Sequence, residues 1–209
     1  IVTGITSDTK KYFIQDGDGA WNGLYVYSSQ ATTLQLGDNV SVIGELKEYF
    51  DLTELSAPKA PTINGTETLP TPSDLTIDGI IEDYESVLVK LTKVECTNAN
   101  AGSGEYTLSD GTNTINGDDL LFAFTPTEGK FYDITGPVYY TFGAFKIEPR
   151  SAADIYEYSN DSTLATLTLG GQDAMGLTNV KVADPINDAG ATMYVSDFTS
   201  FAGIAATTT

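Results

Sequence analysis

The sequence predicts an all-β chain, and three observations predict it. Short runs rich in Val, Ile, Thr and Tyr recur between Gly, Asn, Asp and Pro, as strands do between turns. Tyr and Phe together number 21 among 209 residues, and aromatic side chains favour the pleated, half-buried surface of a sheet. Helical periodicity is nearly absent; the best candidate is the short acidic stretch Ile77 to Tyr84. A chain of this length builds one large or two small domains, and two fit better.

The reason is an internal repeat. Tyr12, Ile14, Asp16 and Gly17 of "YFIQDG" return 94 positions later as Tyr106, Leu108, Asp110 and Gly111 of "YTLSDG". Asn22-Gly23 follows Asp16 at the same distance as Asn116-Gly117 follows Asp110, and an aromatic strand is expected next in both, "LYVYSS" and "LLFAFT". A second block, "GDNVSVIG" (Gly37 to Gly44), matches "GKFYDITG" (Gly129 to Gly136), and an apolar residue, Leu55 or Ile147, lies eleven positions past each second glycine.

Each copy offers about five strands. In the first they fall near 1–7, 11–15, 24–28, 39–49 and 52–57, the fourth long enough to bend. Five strands with one long, coiled member suit a small closed barrel of the oligonucleotide/oligosaccharide-binding (OB) type, with a small β-sandwich as the alternative. The expected organisation is an OB-like barrel over 1–62, a Pro-, Thr- and Asn-rich linker over 63–83, and a second OB-like barrel over 84–157. From 158 to 209 the texture turns to Ala, Thr and Gly with short alternating runs, expected as a partial immunoglobulin-like β-sandwich segment.

"YFIQDGDGAWNGLYVY" followed by "LGDNVSVIGELKEYFDLTEL" resembles the OB-fold domains found beside extracellular endonuclease/exonuclease/phosphatase-type nucleases and in large secreted or surface proteins of the Bacteroidetes. "YESVLVKLTKVECT" through "YYTFGAFKIEPRSAADI" is similar to the tandem partner that follows in such proteins. The resemblance implies an extracellular or cell-surface location and a binding accessory to an enzyme elsewhere in the chain. It implies no nuclease here, since nothing matches the catalytic Asp/His/Asn set. The chain opens on the strand-like "IVTGITSD" and closes on "GIAATTT", which reads as a piece of something longer, its partners being further domains of the same chain. No membrane insertion is expected.

Charge and composition exclude much chemistry. Twenty-nine acidic residues against ten basic give a net charge of -19, so the average surface repels phosphate backbones and anionic membranes. With no histidine and one cysteine, Cys96, there is no disulfide framework, no Cys/His zinc site and no Ser-His-Asp or Cys-His machinery. Cys96 sits in an alternating strand and is expected as a small core residue. Paired carboxylates for glycoside hydrolysis remain possible in principle, yet coincidental pairs are expected at this acidity and small β units lack a deep cleft. The chain is therefore expected to be non-catalytic.

Two kinds of candidate site remain. Acidic turns, Asp16 and Asp18 in the first copy and Asp118 and Asp119 in the second, offer oxygen ligands, so calcium is the one cofactor the sequence points to. The first turn is not an EF-hand loop, because the fifth and twelfth positions hold Ala20 and Tyr27, and the residues shared between the copies serve hairpin geometry first. Trp21, Tyr25, Tyr27, Tyr49 and Phe50 could form an aromatic platform for single-stranded nucleic acid or a glycan. Strand alternation sends some of these rings into a core, and the scarcity of nearby cations makes a neutral glycan the easier ligand. The leading function is a structural or adhesin segment of a large secreted or surface protein; the alternative is the OB-type binding accessory.

Overall fold

A computed structural model describes residues 1–158 throughout and, beyond them, five short strands at 166–169, 172–173, 180–182, 193–195 and 204–207. Packing divides the chain into two units, Ile1–Tyr158 and Ser159–Thr209. The class is all-β, with one closed five-stranded barrel and additional sheets.

In the first copy, β1 (Val2–Ile5), β2 (Lys11–Gln15), β3 (Gly23–Tyr27), β4 (Asp38–Ser41), β5 (Glu45–Tyr49) and β6 (Leu52–Ser56) fall on the expected runs, the long fourth strand being split into β4 and β5. β7 (Thr62–Thr66) and β8 (Ser73–Leu75) follow. The second copy contains β9 (Leu88–Gly102), β10 (Glu105–Ser109), β11 (Thr114–Gly117), β12 (Phe131–Thr141), β13 (Ala144–Ile147) and β14 (Ile155–Glu157). The strand expected at "LLFAFT" does not form, because the shorter hairpin turn puts β11 ahead of it, and Leu120, Leu121 and Phe124 pack as loop residues against the junction between the copies and the second core.

The second copy is the closed barrel. Its order is β9–β10–β11–β13–β12, and β12 pairs back onto β9. Only β11 and β13 run parallel. Closure depends on β9 being long enough to serve two neighbours: Leu88 to Glu95 pair with β12, and Glu95 to Gly102 with β10. The strand bends at Lys93, which has φ 53° and donates its N–H to Asp133 Oδ1 at 2.9 Å. The first copy repeats the order as β1–β2–β3–β6–β5, with β3 and β6 parallel, but β5 does not return to β1. Its sheet stays open along one seam.

The stretch expected as a linker is stitched into both copies. β7 pairs antiparallel with β4, and β8 runs parallel to β9. Thr62-Ile63-Asn64 has enough β propensity to pair in spite of the flanking prolines, which sit outside the paired residues.

Both faces of the β2–β3 hairpin are buried, which accounts for its aromatic content. Tyr12 and Val26 turn into the first copy's core beside Val2 and Leu34. Phe13 and Tyr25, on the opposite face by strand alternation, pack with Leu52 against Leu120, Leu121, Tyr139 and Tyr140 of the second copy. The Phe13 and Tyr25 ring centroids are 5.0 Å apart, and Tyr139 sits 6.0 and 5.1 Å from them, each pair contributing about 0.5–1.5 kcal/mol beyond its buried area.

Polar contacts fix the same junction. Gln15 Oε1 accepts the Leu88 N–H at 2.9 Å, the Asp83 carbonyl accepts the Trp21 N–H at 2.7 Å, and Arg150, clamped at both carboxylate oxygens of Asp154, donates to the Thr3 carbonyl at 3.3 Å. Gly23 is required here: a Cβ would lie 2.3 Å from the carbonyl carbon of Ser86. The second core gathers Leu91, Cys96, Tyr106, Leu108, Ile134 and Ile147, with Ile77 and Ile80 from the 3-10 turn at Ile77–Gly79. Burial pushes the Cys96 thiol up, so it is the inert core residue expected.

In the second unit, β15 (Thr166–Leu169) pairs with β16 (Gln172–Asp173) and β19 (Ile204–Thr207), and β17 (Val180–Val182) with β18 (Met193–Val195). The immunoglobulin-like reading of 158–209 lies largely outside the described residues.

Candidate functional site

The acidic turn between β2 and β3 is held from within. Asn22 Nδ2 donates to the carbonyls of Asp18, Ala20 and Gly19 at 2.8, 3.0 and 3.3 Å. Carbonyls of this kind serve as calcium ligands alongside carboxylates, and here the Asn22 amide engages all three. Asp18 is engaged too, its Oδ1 accepting the Thr71 N–H at 2.7 Å. The corresponding turn of the second copy is tied differently: Asp110 Oδ1 accepts the N–H groups of Asn113 and Thr112 at 2.7 and 2.9 Å, which hold its carboxyl below the usual range.

Asp118 also has partners. Its Oδ2 accepts from Lys146 Nζ at 2.8 Å and its Oδ1 from the Asp119 N–H at 2.7 Å. Lys146 donates to Glu105 as well, and burial, which alone would lower the ammonium, is outweighed by the two carboxylates. Among the described residues, no three His, Cys, Asp or Glu side chains converge on a point that could hold a metal.

The aromatic candidates separate into two groups. Tyr25 is only 2% exposed and belongs to the junction between the copies, so it offers no platform. Trp21, at 69%, and Tyr27, Tyr49 and Phe50 are solvent-facing. Tyr49 and Phe50 meet edge to face at 4.7 Å, with Lys47 Nζ 5.3 Å from the Tyr49 ring centroid. Lys11 lies similarly over Tyr27 at 5.6 Å. These rings do not share one strand face, because Trp21 stands on the β2–β3 turn and Phe50 on the β5–β6 turn.

OB barrels bind their ligands across the face of their second and third strands. In the first copy that face carries Phe13 and Tyr25 and is covered by the second copy. In the second copy it is the outer face of β10–β11, where Thr107 Oγ1 donates to Asn116 Oδ1 at 3.0 Å and Asn116 Nδ2 to Glu105 Oε2 at 2.7 Å. No aromatic residue stands on that outer face of β10 or β11.

Two features go beyond the candidates read from the sequence, which named Phe50 but not its counterpart. The β5–β6 and β12–β13 hairpins turn at equivalent positions, and each presents a phenylalanine with positive φ: Phe50 at 50° and Phe142 at 52°, 77% and 97% exposed. Each is followed by a second residue with positive φ, Asp51 or Gly143, the backbone of a type I′ turn, where Asn-Gly is preferred. The repeat offset could have shown the pairing, since "EYFDL" and "YTFGA" align.

The second feature is a cleft of about 470 Å³ at the open seam of the first copy. Ile14, Leu24, Val40 and Leu46 form its apolar wall, and Glu82, Asp83 and Glu85 its acidic side, with Trp21 beside them. Glu85 is buried; its Oε1 accepts the Thr53 N–H at 2.8 Å while its Oε2 has no partner. Burial, reinforced by the Glu82 and Glu48 carboxylates, pushes its pKa to about 7 against the Thr53 hydrogen bond.

No family model matches the chain. It is similar to Endonuclease YhcR of Bacillus subtilis (strain 168), with 31% identity over 166 residues that cover 68% of the chain. The match spans 13% of that protein's length. The chain is thus distantly related to one part of an endonuclease, and that likeness rests on a framework whose best-formed element is a closed, OB-like, five-stranded barrel.

Proposed function

We propose that residues 1–158 act as a non-catalytic β module of a larger secreted or cell-surface protein, in which two OB-like copies packed as one body space and orient the other domains of the same chain. The observation that carries this reading is the use of the OB faces themselves. One is buried between the copies, and the other is a polar network around Glu105, Asn116 and Lys146. A net charge of -19 adds a general repulsion of nucleic acid. The similarity to part of an endonuclease supports a nuclease-containing parent as the setting.

The exposure of Trp21, Tyr49 and Phe50 favours a second reading, in which the module binds single-stranded nucleic acid or a glycan for that enzyme. A fluorescence-anisotropy titration of a labelled single-stranded oligonucleotide at low salt, with and without calcium, separates the two. The spacer reading expects no saturation. Saturable binding that weakens as salt rises, and is lost in Trp21→Ala or Phe50→Ala, would replace it with the accessory reading.

A further inference from the structure

Each copy carries a hollow at an equivalent place, between the connection that follows β3 or β11 and the segment that follows β6 or β13. In the first copy it holds about 270 Å³, and Ala31, Thr32, Thr33, Ala60 and Ile63 are in its wall. In the second it holds about 310 Å³, and Ala123, Phe124, Thr125, Ala152 and Ile155 are in its wall. Each of these five pairs is separated by 92 positions, the offset that also relates Gly37 to Gly129, so the two hollows are one site of the repeat seen twice. No residue of β9 lines the second hollow, and the first shares no lining residue with the cleft at the open seam. The site is therefore a property of the fold of each copy and owes nothing to the unpaired edge.

The floors differ by one ring. In the second copy Phe124 meets Tyr106 and Tyr132 edge to face, at centroid distances of 5.6 and 5.7 Å; the hollow ends on Phe124 and Tyr132, and Tyr106 is not in its wall. In the first copy the counterpart of Phe124 is Thr32, whose N–H and Oγ1 both donate to the Thr9 carbonyl, at 2.9 and 3.1 Å. There the hollow extends to Tyr12, the counterpart of Tyr106. An aromatic ring over the core tyrosine is thus supplied by the chain in one copy and lacking in the other.

The charge of the first hollow is also unlike that of the chain. Of the 29 acidic residues none lines it. Its one charged residue is Lys59, which is exposed and makes no ion pair among the described residues. The second hollow has Glu157 in its wall, and Ser151 is the counterpart of Lys59.

We propose that the first-copy hollow binds a small aromatic carboxylate, whose ring takes over Tyr12 the place that Phe124 takes over Tyr106, and whose acid group pairs with Lys59. A ring gains edge-to-face contact with Tyr12 in addition to the area it buries. The volume lies just under the lower bound of about 300 Å³ usual for ligand cavities, which suits one ring with a short arm. A single ammonium in an otherwise acidic chain suits a single carboxylate and not a polyanion. The site is separate from Trp21, Tyr49 and Phe50, so its test leaves the spacer and accessory readings where they stand.

The test titrates the chain with 3-phenylpropionate and follows its backbone amides by nuclear magnetic resonance. Saturable shifts confined to 28–34 and 59–63 are expected, with a dissociation constant of about 1 mM or tighter for a ligand of this size. Thr32→Phe, which supplies the ring found in the second copy, should weaken binding at least tenfold, with an unchanged circular dichroism spectrum as the check on folding. Lys59→Gln, at an exposed position, should weaken 3-phenylpropionate about threefold to fivefold, the range of a solvent-exposed ion pair, and leave the uncharged 3-phenylpropanol unaffected. No saturation by about 10 mM would overturn the proposal, as would shifts centred elsewhere or undiminished binding by folded Thr32→Phe. Equal binding of butyrate would reduce the site to loose attraction by Lys59 and equally overturn it.

Discussion

Glu85 sets a pH dependence whose sign and size follow from its surroundings. The carboxyl is buried at the seam with one oxygen bonded to the Thr53 N–H and the other unpartnered. In the unfolded chain it ionises near 4.5 and in the folded chain near 7. Between those values the folded state holds more protons, so the free energy of unfolding falls as pH rises. The favourable state is the neutral one, fully present below 4.5 and lost through 7. At about 1.36 kcal/mol per pH unit the full cost is about 3 kcal/mol.

Glu85→Gln keeps an oxygen for Thr53 and cannot ionise. The difference in stability between variant and wild type should be near zero at pH 4, climb through pH 5 and 6, and level off above pH 8. It corresponds to a rise in melting temperature of about 6–12 °C on the alkaline plateau for a unit of this size. Thermal melts followed by far-ultraviolet circular dichroism across that range would measure it. Glu148 also titrates, being buried with both oxygens unpartnered and raised well above the usual range by burial and by Asp118. It does so in both proteins and cancels in the difference. A flat difference, or one that grows toward acid, would refute the reasoning.

Other consequences are more local. Phe13→Ala removes a fully buried ring from the junction between the copies and should cost about 3–5 kcal/mol in urea unfolding; a cost under 1 kcal/mol would mean that the copies do not depend on their contact. Gly23→Ala places a methyl group against the Ser86 backbone and should cost about 1–3 kcal/mol. Phe50→Asn and Phe142→Asn put a residue that tolerates positive φ at each hairpin tip and should stabilise by about 1 kcal/mol each; destabilisation would show that the rings are packed. Calcium at about 1 mM, the range of weak extracellular sites, should leave the melting temperature unchanged because Asn22 already holds the turn, and a rise abolished by Asp18→Asn would show a site there.

Much of the framework was legible because the repeat supplies its own control. Tyr12 and Tyr106, and Ile14 and Leu108, share an offset of 94, and in the structure both pairs stand on the first strand of a hairpin; the offset fails on the second strand, where Ile14 pairs with Leu24 but Leu108 with Ile115, because the turn of the second copy is shorter. Alternation along "YFIQ" separates Tyr12 from Phe13, as observed. It could not tell which face met solvent, because here neither does: the face that would be wet in a lone barrel is covered by a chain segment more than 100 residues away. Tyr25 was a reasonable platform residue for a single barrel and is unavailable in a tandem one. The 63–83 stretch was opaque for a related reason, since composition registers Pro and Thr as linker while strand pairing depends on an available edge.

The site differs from the fold in what it asks of the sequence. A side chain's direction along a strand is local information, and Val42 and Leu46 could be placed on the barrel side by comparison with Ile134 and Val138. Whether such a residue is core or surface depends on a second strand, and nothing in "VSVIGEL" records whether that strand is present. The same edge is sealed in one copy and open in the other, with apolar residues kept at both. Leaving Leu46 in water, where Val138 is buried, forgoes about 1.5–3 kcal/mol relative to full burial. By the repeat offset Val2 stands for Cys96, and the Gly37 N–H bonds to the Val2 carbonyl as the Gly129 N–H does to that of Cys96, so the counterparts of Leu88 to Val94, the residues that bury Ile134 and Val138, lie outside the 209 residues and the exposure of Val42 and Leu46 carries no information of its own.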